Sequence, residues 1–180
     1  MRKKIYILNG TGSAGKGTFA SYLNKYISTC NYSIVNLTKE AAKILGWNGG
    51  KTEKDRRFLS DLMDLSAEYN DMPFCDVSAL VQDFNKNNID TNVLLIDMRD
   101  PKDIARAVKS FGAETILIYN PGIKTIESNH ADANVNDYEY DYTIINDGDL
   151  SQLEKAARFF AEKVIVGNKH DIRKIFCSEM

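Results

Sequence analysis

Short apolar runs alternate along this chain with stretches of helical spacing. Five runs read as strands, at 5–9, 33–37, 93–98, 115–119 and 142–145. VLLI and ILIY within them are apolar at consecutive positions, as expected of strands covered on both faces. Between the runs, Phe19, Leu23, Tyr26 and Ile27 share one helical face, and Phe58, Leu62, Leu65 and Tyr69 recur at helical spacing. The stretch DPKDIARAVKSFG predicts a helix capped by Asp100, with Pro101 at its first position and Gly112 as its stop. Ser151 and Glu154 form a capping-box pattern before a helix that turns Leu153, Ala157 and Phe160 inward. Such alternation predicts a parallel sheet covered by helices, an α/β fold.

Two connections exceed the usual short loop. About 55 residues separate the second and third strands, mostly of helical character with scattered basic residues. About 20 residues with few helix signals separate the fourth and fifth. Structureless connections of that length are usually lids, binding loops or disordered segments. Within a single domain spanning 1–180, they read as a helical insertion over 38–92 and a lid-like segment over 120–141. Both begin at carboxyl ends of strands, where parallel sheets bind ligands.

Composition narrows the partners. A formal net charge of −2 carries no electrostatic footprint for DNA or RNA, so small molecules are expected rather than a nucleic-acid polymer. The three cysteines, Cys30, Cys75 and Cys177, are scattered and in no CxxC spacing, which fits a reducing compartment. MRKK followed by IYIL reads as the lead into a strand, and no stretch approaches the ~20 apolar residues of a membrane span. A cytoplasmic location with no membrane partner is expected. Nothing in the sequence fixes an oligomeric state.

The candidate chemistry begins where the first strand ends, in GTGSAGKGT at 10–18. Strand, GxxxxGK loop and amphipathic helix come in the order a phosphate-binding loop needs. Gly12, Ser13, Ala14, Gly15, Lys16, Gly17 and Thr18 would cradle phosphates through backbone N–H groups and the helix amino terminus, with Lys16 moving with the transferred group. Gly17 stands where many such loops place a magnesium-binding hydroxyl, and Thr18 supplies one a step later. A competing pattern, NKHD at 168–171, looks like a guanine-reading element. No DxxG accompanies it, and only nine residues lie beyond Asp171. A chance tetrapeptide at the end of a helix is the better account.

The ending GKGT resembles nucleoside monophosphate kinases of the adenylate and cytidylate kinase type, matched at Gly10, Ala14, Gly15, Lys16, Gly17 and Thr18, with Ser13 in place of a glycine. SIVNLTKEAAKILGWNGGKTEKDRRFLSDL is similar to bacteriophage-type deoxynucleoside monophosphate kinases, the matching positions being Lys39, Trp47, Gly49, Lys51, Arg56 and Arg57. LLIDMRDPKDIARAVKSFG resembles the same kinases' strand ending in DxR, here Asp97 and Arg99. The resemblance implies a three-layer P-loop fold with five parallel strands in the order 2-3-1-4-5, a helical acceptor-binding insertion and a short lid. It implies ATP as donor and Mg2+ held near Thr18 and Asp97. Lys16, Asp97 and Arg99 would serve the transfer, while Lys39, Trp47, Arg56, Arg57, Arg99 and His130 would bind the acceptor.

Arginine suits that task because its planar fork grips two phosphate oxygens and stays charged. Arg56 and Arg57 lie about 100° apart on a helix, so one would face phosphate while the other meets solvent or an acid. The lid-like segment departs from the family in having no arginine; Lys124 and His130 are its basic side chains. Two alternatives therefore stand beside a nucleotide kinase: a kinase of another small phosphate ester, and a nucleotide-binding protein without phosphotransfer.

Overall fold

The structure is a computed structural model that describes residues 3–87, 90–123, 135, 137–169 and 171–180. Its elements run β1 (Lys4–Asn9), α1 (Lys16–Tyr26), β2 (Thr29–Ser33), α2 (Asn36–Ile44), α3 (Glu53–Asn70), α4 (Met72–Lys86), β3 (Val93–Asp97), α5 (Pro101–Phe111), β4 (Glu114–Tyr119), β5 (Tyr142–Ile145), α6 (Leu150–Phe159) and β6 (Lys174–Phe176). The strands form one sheet in the order β2-β3-β1-β4-β5-β6. β1 pairs in parallel with β3 and β4, β4 with β5, and β5 with β6. The expected order 2-3-1-4-5 is present, and a sixth strand extends it. β6 is only three residues long with one buried position, Ile175, so it offers no apolar run to read.

The chain divides into two compact units, one of residues 1–31 with 89–180 and one of residues 32–88. In the first, the inner strands are apolar on both faces: every residue of β1 after Lys4 and all of β3 up to Ile96 is buried. Phe160 is the hub of one side of the sheet. Its ring meets Tyr6, Phe19 and Tyr142 edge-on at centroid distances of 5.6, 6.0 and 5.3 Å. Edge-to-face pairs of this kind add about 0.5–1.5 kcal/mol each beyond the area they bury. Phe160 also begins a π-helical continuation of α6 that runs to Val166. Gly167 comes next, Asn168 turns left-handed at φ 53°, and Lys169 N donates to Lys163 O at 3.1 Å. The NK of NKHD thus closes a helix. His170 lies outside the described residues.

Helix ends obey their chemistry. Asp100 accepts from Lys102 N, Pro101 opens α5, and Gly112 ends it at φ 62°. The cap of α6 differs from the expected Ser151–Glu154 box. Asp149 and Gln152 form a reciprocal box two residues earlier, because an aspartate already sits where the chain turns into the helix. Leu153, Ala157 and Phe160 do point inward.

Between residues 29 and 86 the structure corrects one reading and bears out another, the helix over Phe58–Tyr69. The second strand is β2, ahead of the expected 33–37, because the IVNL run belongs to the turn and to α2, with Ile34 buried before it. β2 is an edge strand, half-exposed and polar, so its period was hidden. α3 has no buried residue at all; Leu65 and Tyr69 are 64% and 85% exposed. A Thr52–Asp55 capping box opens it, and its half-buried Phe58, Leu59, Leu62 and Met63 form its apolar side. The buried face is on α4, with Phe74, Val77, Val81 and Phe84. Among the described residues, no helix is long and apolar enough to cross a membrane.

Candidate functional site

β1 ends in a polar residue that ties three segments of the site together. Asn9 is fully buried at the carboxyl end of an otherwise apolar strand. Its Oδ1 accepts from Gly10 N at 2.7 Å, while its Nδ2 donates to the Tyr140 hydroxyl at 2.7 Å and to Arg99 O at 3.4 Å. A buried amide with both ends engaged fixes whatever it touches. Here it touches the first residue of the loop, the DxR segment after β3, and the stretch leading into β5. Tyr140 passes the link on by donating to Val135 O at 2.9 Å, and burial pushes its phenol up to about 12, so it remains a donor throughout the neutral range.

The loop itself is built by left-handed backbone. Ser13 and Gly15 adopt φ 65° and 105°, and Gly15 is the N-cap of α1. Ser13 thus takes a conformation that costs a side chain about 1–2 kcal/mol, at the position where the resembling family has glycine. Gly10 has no room for a side chain: a Cβ there would lie 2.4 Å from the carbonyl oxygen of Ile118. Ala14 N donates to Thr11 O at 3.2 Å, and Lys16 Nζ donates to Gly10 O and to Thr11 O, which arches the lysine over the loop. The first N–H groups of α1 have no partners within the helix, so they and the helix dipole form an anion-facing end.

Parallel pairing places the DxR segment beside this loop. Asp97 pairs in register with Leu8, Met98 N donates to Leu8 O at 3.2 Å, and Asp97 and Arg99 are both half-buried. Loop, Asp97 and Arg99 therefore share the carboxyl edge of β1 and β3. Thr18, half-exposed, lies in the first turn of α1. Among the described residues, no group of three or more His, Cys, Asp or Glu side chains could hold a metal by itself.

The helical unit carries a cavity of about 530 Å3 lined by Tyr32, Asn36, Leu37, Lys39, Glu40, Lys43, Trp47 and Gly49. Lys39 and Trp47 were among the residues expected to bind an acceptor. Trp47 is held by donating its indole N–H to Gly50 O at 3.2 Å, and Tyr32 donates to Asp76 Oδ2 at 2.5 Å. Lys43 pairs with Glu40 at 2.8 Å. Arg56 and Arg57 sit exposed on α3 and do not line this cavity; Arg57 meets Asp61 across one turn at 3.7 Å. Of the other aromatic residues, Phe74 is core and Tyr69 is exposed. His130 and Lys124 lie outside the described residues, as does most of the lid-like segment.

Asn9, Tyr140, Tyr32 and Lys43 belong to these arrangements and have no motif of their own. A single asparagine closing an apolar strand was the one available signal, since a buried amide needs partners to justify its place.

No protein-family model matches the chain, and no curated protein does. Among solved structures, the fold is similar to a sugar kinase from a Janibacter species, with a TM-score of 0.55 and 9% identity over 90% of this chain and 95% of that one. A thymidylate kinase from Ehrlichia chaffeensis aligns over 98% of this chain and 93% of its own at 16% identity, with a TM-score of 0.29. The likeness to the sugar kinase is one of fold alone, an α/β arrangement of helices around a parallel sheet.

Proposed function

We propose that this protein transfers the γ-phosphoryl group of Mg·ATP to a nucleoside monophosphate, with a deoxynucleotide as the leading acceptor. The observation that carries the reading is the loop at 10–18, with Lys16 arched over left-handed backbone at the amino end of α1. An acceptor phosphate oxygen would attack the γ-phosphorus in line as the bond to the β,γ-bridging oxygen breaks, leaving ADP. No general base is needed, since a phosphate acceptor is already anionic at neutral pH. The protein's part is positioning and charge neutralisation.

Within that scheme, backbone N–H groups of Gly12 through Thr18 hold the donor phosphates and Lys16 moves with the transferring group. Arg99 neutralises charge between donor and acceptor. Magnesium arrives with the nucleotide. Thr18 and Asp97 would order the ion and its waters, and the ion would supply neutralisation of charge on the phosphates. The cavity beside Lys39 and Trp47 supports an acceptor carrying both an anionic group and a flat ring.

The test is ADP formation with Mg·ATP against each common ribo- and deoxynucleoside monophosphate, with sugar and small phosphate esters in the same panel. Acceptor-dependent turnover with one or two nucleotides supports the reading. Turnover with another ester instead would redirect the acceptor, and ATP binding with no acceptor-dependent ADP would remove the kinase reading. In the same assay, Arg99→Ala is expected to lower turnover by about 10²–10³-fold, as for other charge-stabilising groups. Arg57→Ala, at an exposed pair, should stay within about threefold.

A further inference from the structure

The turn after β5 is tied to the phosphate loop on one side and to the residues beyond β6 on the other. Asn146 is its pivot. Asn146 N donates to Tyr119 O at 2.7 Å, which locks the turn to the end of β4. Asn146 Nδ2 donates to Ala14 O at 2.9 Å and lies 2.7 Å from the position a Cβ on Gly15 would take, so the amide lies directly against Gly15. In a trans peptide, C=O and N–H point in opposite directions. Holding the Ala14 carbonyl toward Asn146 therefore turns the Gly15 N–H away from it, and Gly15 is the residue at which φ must be left-handed for α1 to begin.

The neighbouring Asp147 anchors the pivot. Asp147 accepts from Ser178 N at 2.9 Å and from Ser178 Oγ at 2.7 Å, and these bonds hold its carboxyl below the usual carboxylate range. Around that hook, Gln152 Nε2 donates to Ser178 O at 3.3 Å and Lys155 Nζ to Met180 O at 2.8 Å, while Cys177 is fully buried beneath.

We infer that Asn146 is a positioning residue of the nucleotide-donor site, setting the Ala14–Gly15 peptide so that its N–H faces phosphate, and that Asp147 with residues 177–180 holds Asn146 in place. This rests on the reading of 10–18 as a donor loop. It extends that site to a turn and a strand end far along the chain, neither of which carries a phosphate-binding motif.

The experiment is equilibrium titration of ATP into the full-length protein and its variants, with steady-state constants for donor and acceptor measured separately. Asn146→Asp keeps the shape but presents a carboxylate oxygen where an N–H was, facing the Ala14 carbonyl. It should weaken ATP binding by tenfold or more and raise the donor KM alike, leaving the acceptor KM within twofold. Ser178→Ala, on the surface, should weaken ATP binding two- to fivefold in the same donor-only manner. A merely structural role would lower thermal stability and move both constants together. ATP affinity unchanged within twofold in Asn146→Asp, or equal loss for donor and acceptor, overturns the inference. If the wild-type protein binds no ATP, the donor-loop reading fails, and this inference with it; wild-type binding with an indifferent Asn146→Asp sinks the inference alone.

Discussion

Replacing Lys16 by alanine is expected to reduce phosphoryl transfer by about 10³-fold or more while leaving the fold intact. Removing one preorganised donor from a developing charge costs about 10²–10³ in rate, and cationic groups on a transferring phosphoryl cost more. The Lys16 ammonium also sits directly against the loop, on the carbonyls of Gly10 and Thr11. Thr11 is half-exposed, so its carbonyl turns to water when the ammonium is gone, while the buried Gly10 loses one hydrogen bond, a cost of about 0.5–1.5 kcal/mol that leaves the fold intact. Alanine is a strong helix former at the first position of α1, which offsets part of the loss. The measurement is ADP formation with saturating acceptor, beside a thermal melt. Activity within tenfold of wild type, at an unchanged melting temperature, would mean that 10–18 does not hold the transferring phosphate.

Gly10→Ala should have the largest effect on stability of any change in the loop. The alanine Cβ would come within 2.4 Å of the Ile118 carbonyl oxygen, a backbone atom of β4 that cannot swing aside, and φ at this position is 150°. That φ is essentially restricted to glycine, and the strain is about 1–3 kcal/mol. Forcing the contact apart costs a further ~1–3 kcal/mol. Against a total stability of about 5–15 kcal/mol, the melting temperature should fall by roughly 5–20 °C. Because Gly10 N is held by Asn9, any relief by moving the loop also disturbs Arg99 and Tyr140. Activity should therefore fall even below the melting transition. A variant that melts within about 2 °C of wild type would show that β4 and the loop are not in such close contact.

The parts of the fold that were legible in the sequence are those where local chemistry and tertiary demand agree. β1, the loop and α1 could be read because buried strands are apolar at every position and GxxxxGK has one backbone solution. The Asp100–Pro101–Gly112 frame of α5 could be read because caps are local. α3 could be read as a helix from Phe58, Leu62, Leu65 and Tyr69, but its burial could not, since Leu65 and Tyr69 meet solvent. Periodicity states which residues share a face and not whether anything covers it. β2 was missed for the opposite reason, since a polar edge strand needs only its backbone bonds. Lys16, Asp97 and Arg99 could be singled out because they stand in motifs, and the structure brings them to one edge of the sheet. Asn9 and Asn146 could not be singled out, because an asparagine's role is set by which distant carbonyl or hydroxyl it meets. Tyr140 to Asn9 and Asn146 to Ala14 span 131 and 132 residues of sequence.

Trp47 is the only tryptophan in the chain and lies in the unit of residues 32–88, half-buried against the Gly50 carbonyl. The rings around Phe160 are tyrosines and phenylalanines. Selective excitation of indole emission therefore reports on the helical unit alone, while near-ultraviolet tyrosine dichroism is weighted toward the sheet. Two optical signals recorded on one unmodified sample can thus tell whether the two units melt together or in turn. The same indole, at the wall of the cavity beside Lys39, gives a label-free titration signal for acceptor candidates, independent of any turnover.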